Sequence, residues 1–240
     1  NSDIDSTEIR QLAGLIKEYN IGGLCFFKGG PVRQAILTNY YQQQAQTPLL
    51  ISMDAEWGLG MRLDSTISFA RQMTLAAMRN EQLISDFGLA VSRHLRRMGV
   101  HISFSPVADI NSNPANPVIN IRSFGEHRDD VTRKSVLYMK ALQAGGIITV
   151  AKHFPGHGDT DTDSHFTLPV IQHSASVLDS LDIYPFRQLI HKGIDGIMVG
   201  HLFVPALDST GNIPCSLSPL VINTLLRKEM NFKGLVFTDA

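Results

Sequence analysis

Six short apolar runs, separated by stretches whose apolar residues recur at helical spacing, predict an α/β protein built on a parallel sheet. Polar residues at the C-terminal ends of five of these runs select a (β/α)8 TIM barrel over an open doubly wound sheet. The runs are Gly22–Phe27, Leu49–Met53, His101–Ser105, Ile147–Ala151, Gly196–Gly200 and Gly234–Thr238. Near-continuous apolar strands of this length suit a sheet covered on both faces. The helical stretches lie between them. Ile9–Tyr19 carries Leu12, Leu15 and Ile16 on one face, and Glu81–Met98 carries Leu83, Ile84, Phe87, Val91 and Leu95. Asp130–Ala144, Ala175–His191 and Ser218–Met230 follow the same spacing. Strand and helix in alternation imply right-handed βαβ units.

The polar strand ends carry most of the functional information. Asp54 follows Met53, with Glu56, Trp57 and Arg62 close behind. Asp109 and Asn111 follow Ser105 and lead into a polar loop that reaches Arg122. Lys152 and His153 follow Ala151, His201 follows Gly200, and Asp239 follows Thr238. A single polar strand end means little, because every strand must leave the core. Five of them converge on one mouth in a barrel, whereas in an open sheet they would spread along a line.

Composition narrows the function classes. The 240 residues are 43% hydrophobic and 18% charged, with a formal net charge of −1, which is ordinary for a globular domain. That balance offers no electrostatic reason for binding nucleic acid or an anionic membrane. No apolar run approaches the roughly 20 residues of a membrane-spanning helix. Neither GxGxxG nor GxxxxGK[ST] occurs, which argues against a phosphate-cradling nucleotide site. Cys25, inside an apolar run, reads as a small core hydrophobe, and no disulfide with the distant Cys215 is expected. No basic-then-apolar leader opens the chain.

The segment Lys152–His165 places one lysine, three histidines and three aspartates directly after an apolar run. Asp159, Asp161 and Asp163 have the alternation of a calcium loop, but Ser164 and Val170 occupy the positions that need Gly and Glu. Zinc ligation by His153, His157 and His165 lacks the spacing of known zinc motifs. Acid/base chemistry fits better. Asp163 and His165 are two residues apart and point the same way in an extended segment. A carboxylate on one ring nitrogen orients the imidazole and makes it a general acid near neutral pH. Asp239, at the end of another strand, supplies a candidate nucleophile. A carboxylate nucleophile with a proton donor is what retaining glycoside hydrolysis requires.

On these residues the chain resembles glycoside hydrolase family 3, in particular its β-N-acetylglucosaminidase branch. The run Lys152–His165 is similar to that branch's signature almost without a gap. Ile21–Leu24, Asp54 with Glu56 and Arg62, Phe104–Asp109, Arg122–Gly125 and Gly234–Asp239 match in order along the chain. The resemblance implies a (β/α)8 barrel and a retaining exo-β-N-acetylglucosaminidase without metal or organic cofactor. It assigns Asp239 as nucleophile, His165 as acid/base and Asp163 as its partner. It assigns Asp54, Arg62, Arg122, Lys152, His153, Met198 and His201 to the sugar site. The expected substrate is a small GlcNAc glycoside, such as a peptidoglycan (muropeptide) fragment, with no nucleic-acid partner and no membrane span. A GlcNAc phosphorylase or a silent carbohydrate-binding barrel on the same scaffold are the alternatives. The chain departs from the family at Trp57–Gly58, where two glycines are usual. It opens at what reads as the helix after the barrel's first strand and stops one residue after Asp239. It is therefore expected to be one N-terminal barrel domain over residues 1–240, short of its first strand and last βα units, within a longer chain carrying a further C-terminal domain. The compartment, bacterial cytoplasm or periplasm, is not legible in it.

Overall fold

The computed structural model describes residues 6–160 and 168–239. The strands are β1 (Gly23–Cys25), β2 (Leu50–Met53), β3 (Ile102–Ser103), β4 (Ile148–Phe154), β5 (Gly196–Val199) and β6 (Leu235–Thr238). All neighbours pair in parallel, in the spatial order β1-β2-β3-β4-β5-β6. The principal helices are α1 (Ser6–Tyr19), α2 (Pro31–Gln44), α3 (Gln72–Ala76), α4 (Gln82–Arg97), α5 (Arg128–Ala144), α6 (Ala175–Val177) and α7 (Tyr184–His191). A π-type helix, Leu220–Glu229, leads to β6.

The sheet curls. Cys25 from β1 and Phe237 from β6 pack on one small cluster with Ile102, Phe104, Val150 and Met198. Phe104 and Phe237 stand edge to face with ring centroids 5.4 Å apart. Residues from the two outermost strands meet only if the sheet wraps around a common axis. The described residues thus supply six of the eight strands of a (β/α)8 barrel. The outer face is sealed by the helices: Ile84, Val91 and Leu95 of α4 join one large cluster with Ile51 and Met53 of β2. Phe186 and Leu189 of α7 join another with Phe154, Ile197 and Val199.

All six expected strands are present. The helical stretches differ in two instructive ways. The spacing predicts one helix over Ala175–His191, but it breaks. A π-type turn at Leu178–Asp182 separates α6 from α7, and Pro185 sits in the first turn of α7, where its missing N–H costs nothing. Helix α2 is not visible in the apolar pattern, because the face it buries includes Gln34 and Thr38 beside Leu37 and Tyr41.

Candidate active site

β4 carries the centre of the site. The sequence reading ends this strand at Ala151, but the strand continues through Lys152, His153 and Phe154, all buried. A strand can hold a lysine there because the charge is paired. Lys152 Nζ donates to Asp54 Oδ1 at 2.7 Å and lies 2.8 Å from Glu56 Oε1. The Lys152–His153 peptide is cis, and the β4–β5 register shifts between Ala151 and Phe154.

The two carboxylates come from the loop after β2. Asp54 also accepts from Arg62, through its other oxygen. Glu56 is fully buried and is gripped by Arg122, with Nη2 2.7 Å from Oε1 and Nε 3.0 Å from Oε2. Arg122 arrives on a 3-10 turn, Asn120–Arg122, in the long loop after β3. Two carboxylates therefore face three cations. Burial alone would raise both acids; Lys152 with Arg62 holds Asp54 far below the carboxylate range, and Lys152 with Arg122 holds Glu56 at about 2. Burial would in turn discharge Lys152, but Glu56 and Asp54 keep its pKa above the usual lysine value.

Asp109 plays the same part for the histidines. Fully buried below the loop after β4, it stays ionised: burial pushes its pKa up, and His153 and His157 outweigh this. It accepts from the backbone N–H of His153 at 3.1 Å and of His157 at 2.8 Å, and from the His153 ring, whose Nδ1 lies at 2.7 Å. Arg122 Nη2 faces the other nitrogen of that ring at 3.4 Å. The chain then turns at Gly156, whose φ of 137° suits glycine, and at Gly158, where a Cβ would fall 1.6 Å from the carbonyl oxygen of Ile110. Asp109→Asn keeps one oxygen for the backbone N–H groups but removes the charge and turns an amide donor on the His153 ring Nδ1. It is expected to lower unfolding free energy in urea by about 2–3 kcal/mol; an unchanged midpoint would show that Asp109 does not hold the loop.

These side chains open onto a cavity of about 550 Å³. Asp54, Arg62, Arg122, Lys152, His153, Met198 and Asp239 all line it, so the structure brings together seven of the residues singled out in the sequence. Asp239 directly follows β6, and its backbone N–H donates to Val199 O at 3.0 Å. Trp57 lines the same cavity, with the Arg71 guanidinium 4.2 Å from its ring centroid. Phe27, Met61, Phe104 and Val118 add an apolar wall. His201 is not among the lining residues; its Nδ1 bonds Ser216 Oγ. Asp163 and His165, the expected acid/base pair, lie outside the described residues, and so does the third ligand of the zinc alternative. Among the described residues, no three His, Cys, Asp or Glu side chains are grouped for a metal ion, and no helix is long and apolar enough to cross a membrane. Both cysteines are free, and burial raises their thiol pKa values.

The arrangement suits a polyol. Asp54 keeps lone pairs on both oxygens, and Arg62, Arg122 and Lys152 supply N–H donors around them. Neighbouring hydroxyls, each able to donate and accept, match such alternation through charge-assisted bonds. The model of the glycosyl hydrolase family 3 N-terminal domain matches residues 4–240.

The chain belongs to glycosyl hydrolase family 3.

Within the family, β-hexosaminidase A of Pseudoalteromonas piscicida is 35% identical over 96% of this chain. A solved family 3 β-N-acetylglucosaminidase from Paenibacillus sp. str. FPU-7 superposes with a TM-score of 0.89 at 37% identity over 95% of the chain. A solved β-glucoside phosphorylase superposes at 0.87, with 27% identity over 91% of the chain and 41% of its own length. The chain spans 42% of the Pseudoalteromonas protein and 45% of the Paenibacillus chain.

The sequence reading left two supporting acids without a role. Glu56 orients Lys152 and Arg122, and Asp109 orients His153. Their signal was present, since both sit near strand ends, but only the packing shows that Glu56 faces Lys152 and Arg122, and Asp109 faces His153 and His157, instead of solvent. A third group was also missed: His173 stands between Asp182 Oδ2 (2.7 Å) and Asp159 Oδ2 (3.0 Å), beyond the cavity.

Proposed function

We propose that this family 3 barrel serves a retaining exo-β-N-acetylglucosaminidase that removes terminal β-linked GlcNAc from short glycosides, peptidoglycan fragments among them. The observation that carries the reading is the placement of Asp239 on the wall of the cavity that also holds Asp54, Arg62, Arg122, Lys152 and His153. The names of the relatives point the same way, to hexosaminidase and N-acetylglucosaminidase. Asp54, Arg62, Arg122, Lys152 and His153 hold the sugar, with Met198 and His201 assigned to the same site by the family resemblance. The Asp239 carboxylate attacks the anomeric carbon as the bond to the leaving oxygen breaks, and His165, oriented by Asp163, gives that oxygen its proton. His165 then removes a proton from water, which releases the sugar from Asp239.

The acid role is tested with leaving groups of different basicity. His165→Ala is expected to retain cleavage of a GlcNAc dinitrophenyl glycoside, whose leaving group needs no proton, while losing about 10²–10⁴-fold on an alkyl GlcNAc glycoside. Equal losses on the two substrates would remove His165 from that role. Phosphorolysis is the second reading, favoured by the likeness to a β-glucoside phosphorylase. A histidine acid/base repels an incoming phosphate less than a carboxylate would. Added phosphate that accelerates turnover and yields GlcNAc-1-phosphate selects it.

A further inference from the structure

His157 lies on the cavity wall with only 1% of its surface exposed, and its surroundings hold every part of it except one ring nitrogen. Its backbone N–H is tied to Asp109 Oδ1 and its carbonyl accepts from Asn116 Nδ2, each at 2.8 Å. Its Nδ1 lies 2.7 Å from Thr160 Oγ1, which also accepts from Asn116 Nδ2 at 3.2 Å. Nε2 is buried and has no hydrogen-bond partner among the described residues. Buried polar atoms without a partner are rare, because each one is a standing cost to the fold. Each one calls for a partner, and on a cavity wall a bound ligand can supply it.

We propose that His157 is a further sugar-binding residue, whose Nε2 takes a hydrogen bond from, or gives one to, a hydroxyl of the bound glycoside. The inference rests on the carbohydrate reading above and deepens it. The ring lies in the right company: its centroid is 5.8 Å from that of His153, and it is within electrostatic reach of Asp239. It is also in the right state. Burial, and then the neighbouring His153, push its pKa below the usual histidine value, so the ring is neutral near pH 7. A neutral imidazole between Thr160 and the cavity has one proton to place. If Nδ1 donates to Thr160, Nε2 accepts from the hydroxyl; if Thr160 donates to Nδ1, Nε2 donates to it. A hydroxyl can meet either form, and a carboxylate or ammonium group could meet only one.

The test separates the two ring nitrogens. In the full-length protein, binding of GlcNAc and its 3-, 4- and 6-deoxy analogues is measured by calorimetry for wild type, His157→Gln, His157→Asn and His157→Phe. Gln places its amide near the position of Nε2, and Asn near that of Nδ1. Wild type is expected to lose about tenfold affinity on removal of one particular hydroxyl. That selective loss is retained in His157→Gln and absent from His157→Asn and His157→Phe. The inference is overturned if every variant weakens all four ligands by the same factor, or if His157→Asn behaves as wild type while His157→Gln does not. Failure of the wild-type protein to bind GlcNAc overturns both this assignment and the carbohydrate reading. GlcNAc binding without turnover of its glycosides overturns only the hydrolase reading.

Discussion

Asp239→Ala is expected to lower kcat for an aryl β-GlcNAc glycoside by about 10⁴-fold or more, the scale seen when a catalytic nucleophile is removed. The Kd for GlcNAc should change far less, since Asp54, Arg62, Arg122 and Lys152 remain. Asp239 closes β6 at the cavity wall, at the C-terminal edge of the sheet, where a barrel presents its reactive groups. Shortening the side chain leaves room for a small external anion. Azide added to the variant should displace the aryloxide at the anomeric carbon in a single step and give the α-glycosyl azide. A β-azide would mean that the glycosyl-enzyme still forms, and that Asp239 acts elsewhere in the reaction. Unimpaired hydrolysis would end the nucleophile assignment outright.

Glu56→Gln is expected to be the most destabilising change among the described site residues. Glu56 touches neither solvent nor the cavity; it anchors Lys152 and Arg122 from behind. Neutralising it leaves Lys152 dependent on Asp54 and Arg122 dependent on the Val118 carbonyl at 3.2 Å. Removing one partner of a buried ion pair typically costs about 3–5 kcal/mol. The same acid gives the fold a signature at low pH. Its folded pKa, about 2, lies below the ordinary 4.5, so its stabilisation is complete above pH 4.5. It declines as pH falls towards 2, and protonation removes it below that. The shift corresponds to about 3 kcal/mol. Melting temperature against pH should therefore fall more steeply for wild type than for Glu56→Gln between pH 4.5 and 2, and the two curves should converge. Parallel curves across that window would show that Glu56 is not ionised in the fold.

The two predictions differ in how they became visible. Asp239 was legible in the sequence because it ends an apolar run, and a run of that kind can be recognised without its neighbours. Lys152 and His153 were legible for the same reason, although their strand proved to run three residues further than the apolar pattern allowed. Glu56 is two residues from Asp54 and of similar chemistry. No local pattern reveals that one lines the cavity while the other is enclosed. Asp109 and Arg122 are 13 positions apart in one irregular loop, and their meeting at the two sides of the His153 ring is a tertiary fact. His157 read as part of a titratable crowd. Only hydrogen-bond accounting in three dimensions leaves a single nitrogen of it unused.

The amino-acid sequence by itself determined the parallel α/β class, the order of its six strands and the strand ends that carry polar groups. These follow from local periodicity, from β-branched content and from the handedness of βαβ connections, all of which act over short stretches of chain. The tertiary structure decided which acid lines the cavity and which is enclosed behind it against neighbouring cations. It also decided that a lysine could sit inside a strand, and which edge residues meet when the sheet curls. Those outcomes depend on desolvation and on ion pairing between groups as many as 98 positions apart. The energy of a buried charge is set by what surrounds it, and no single segment contains that information.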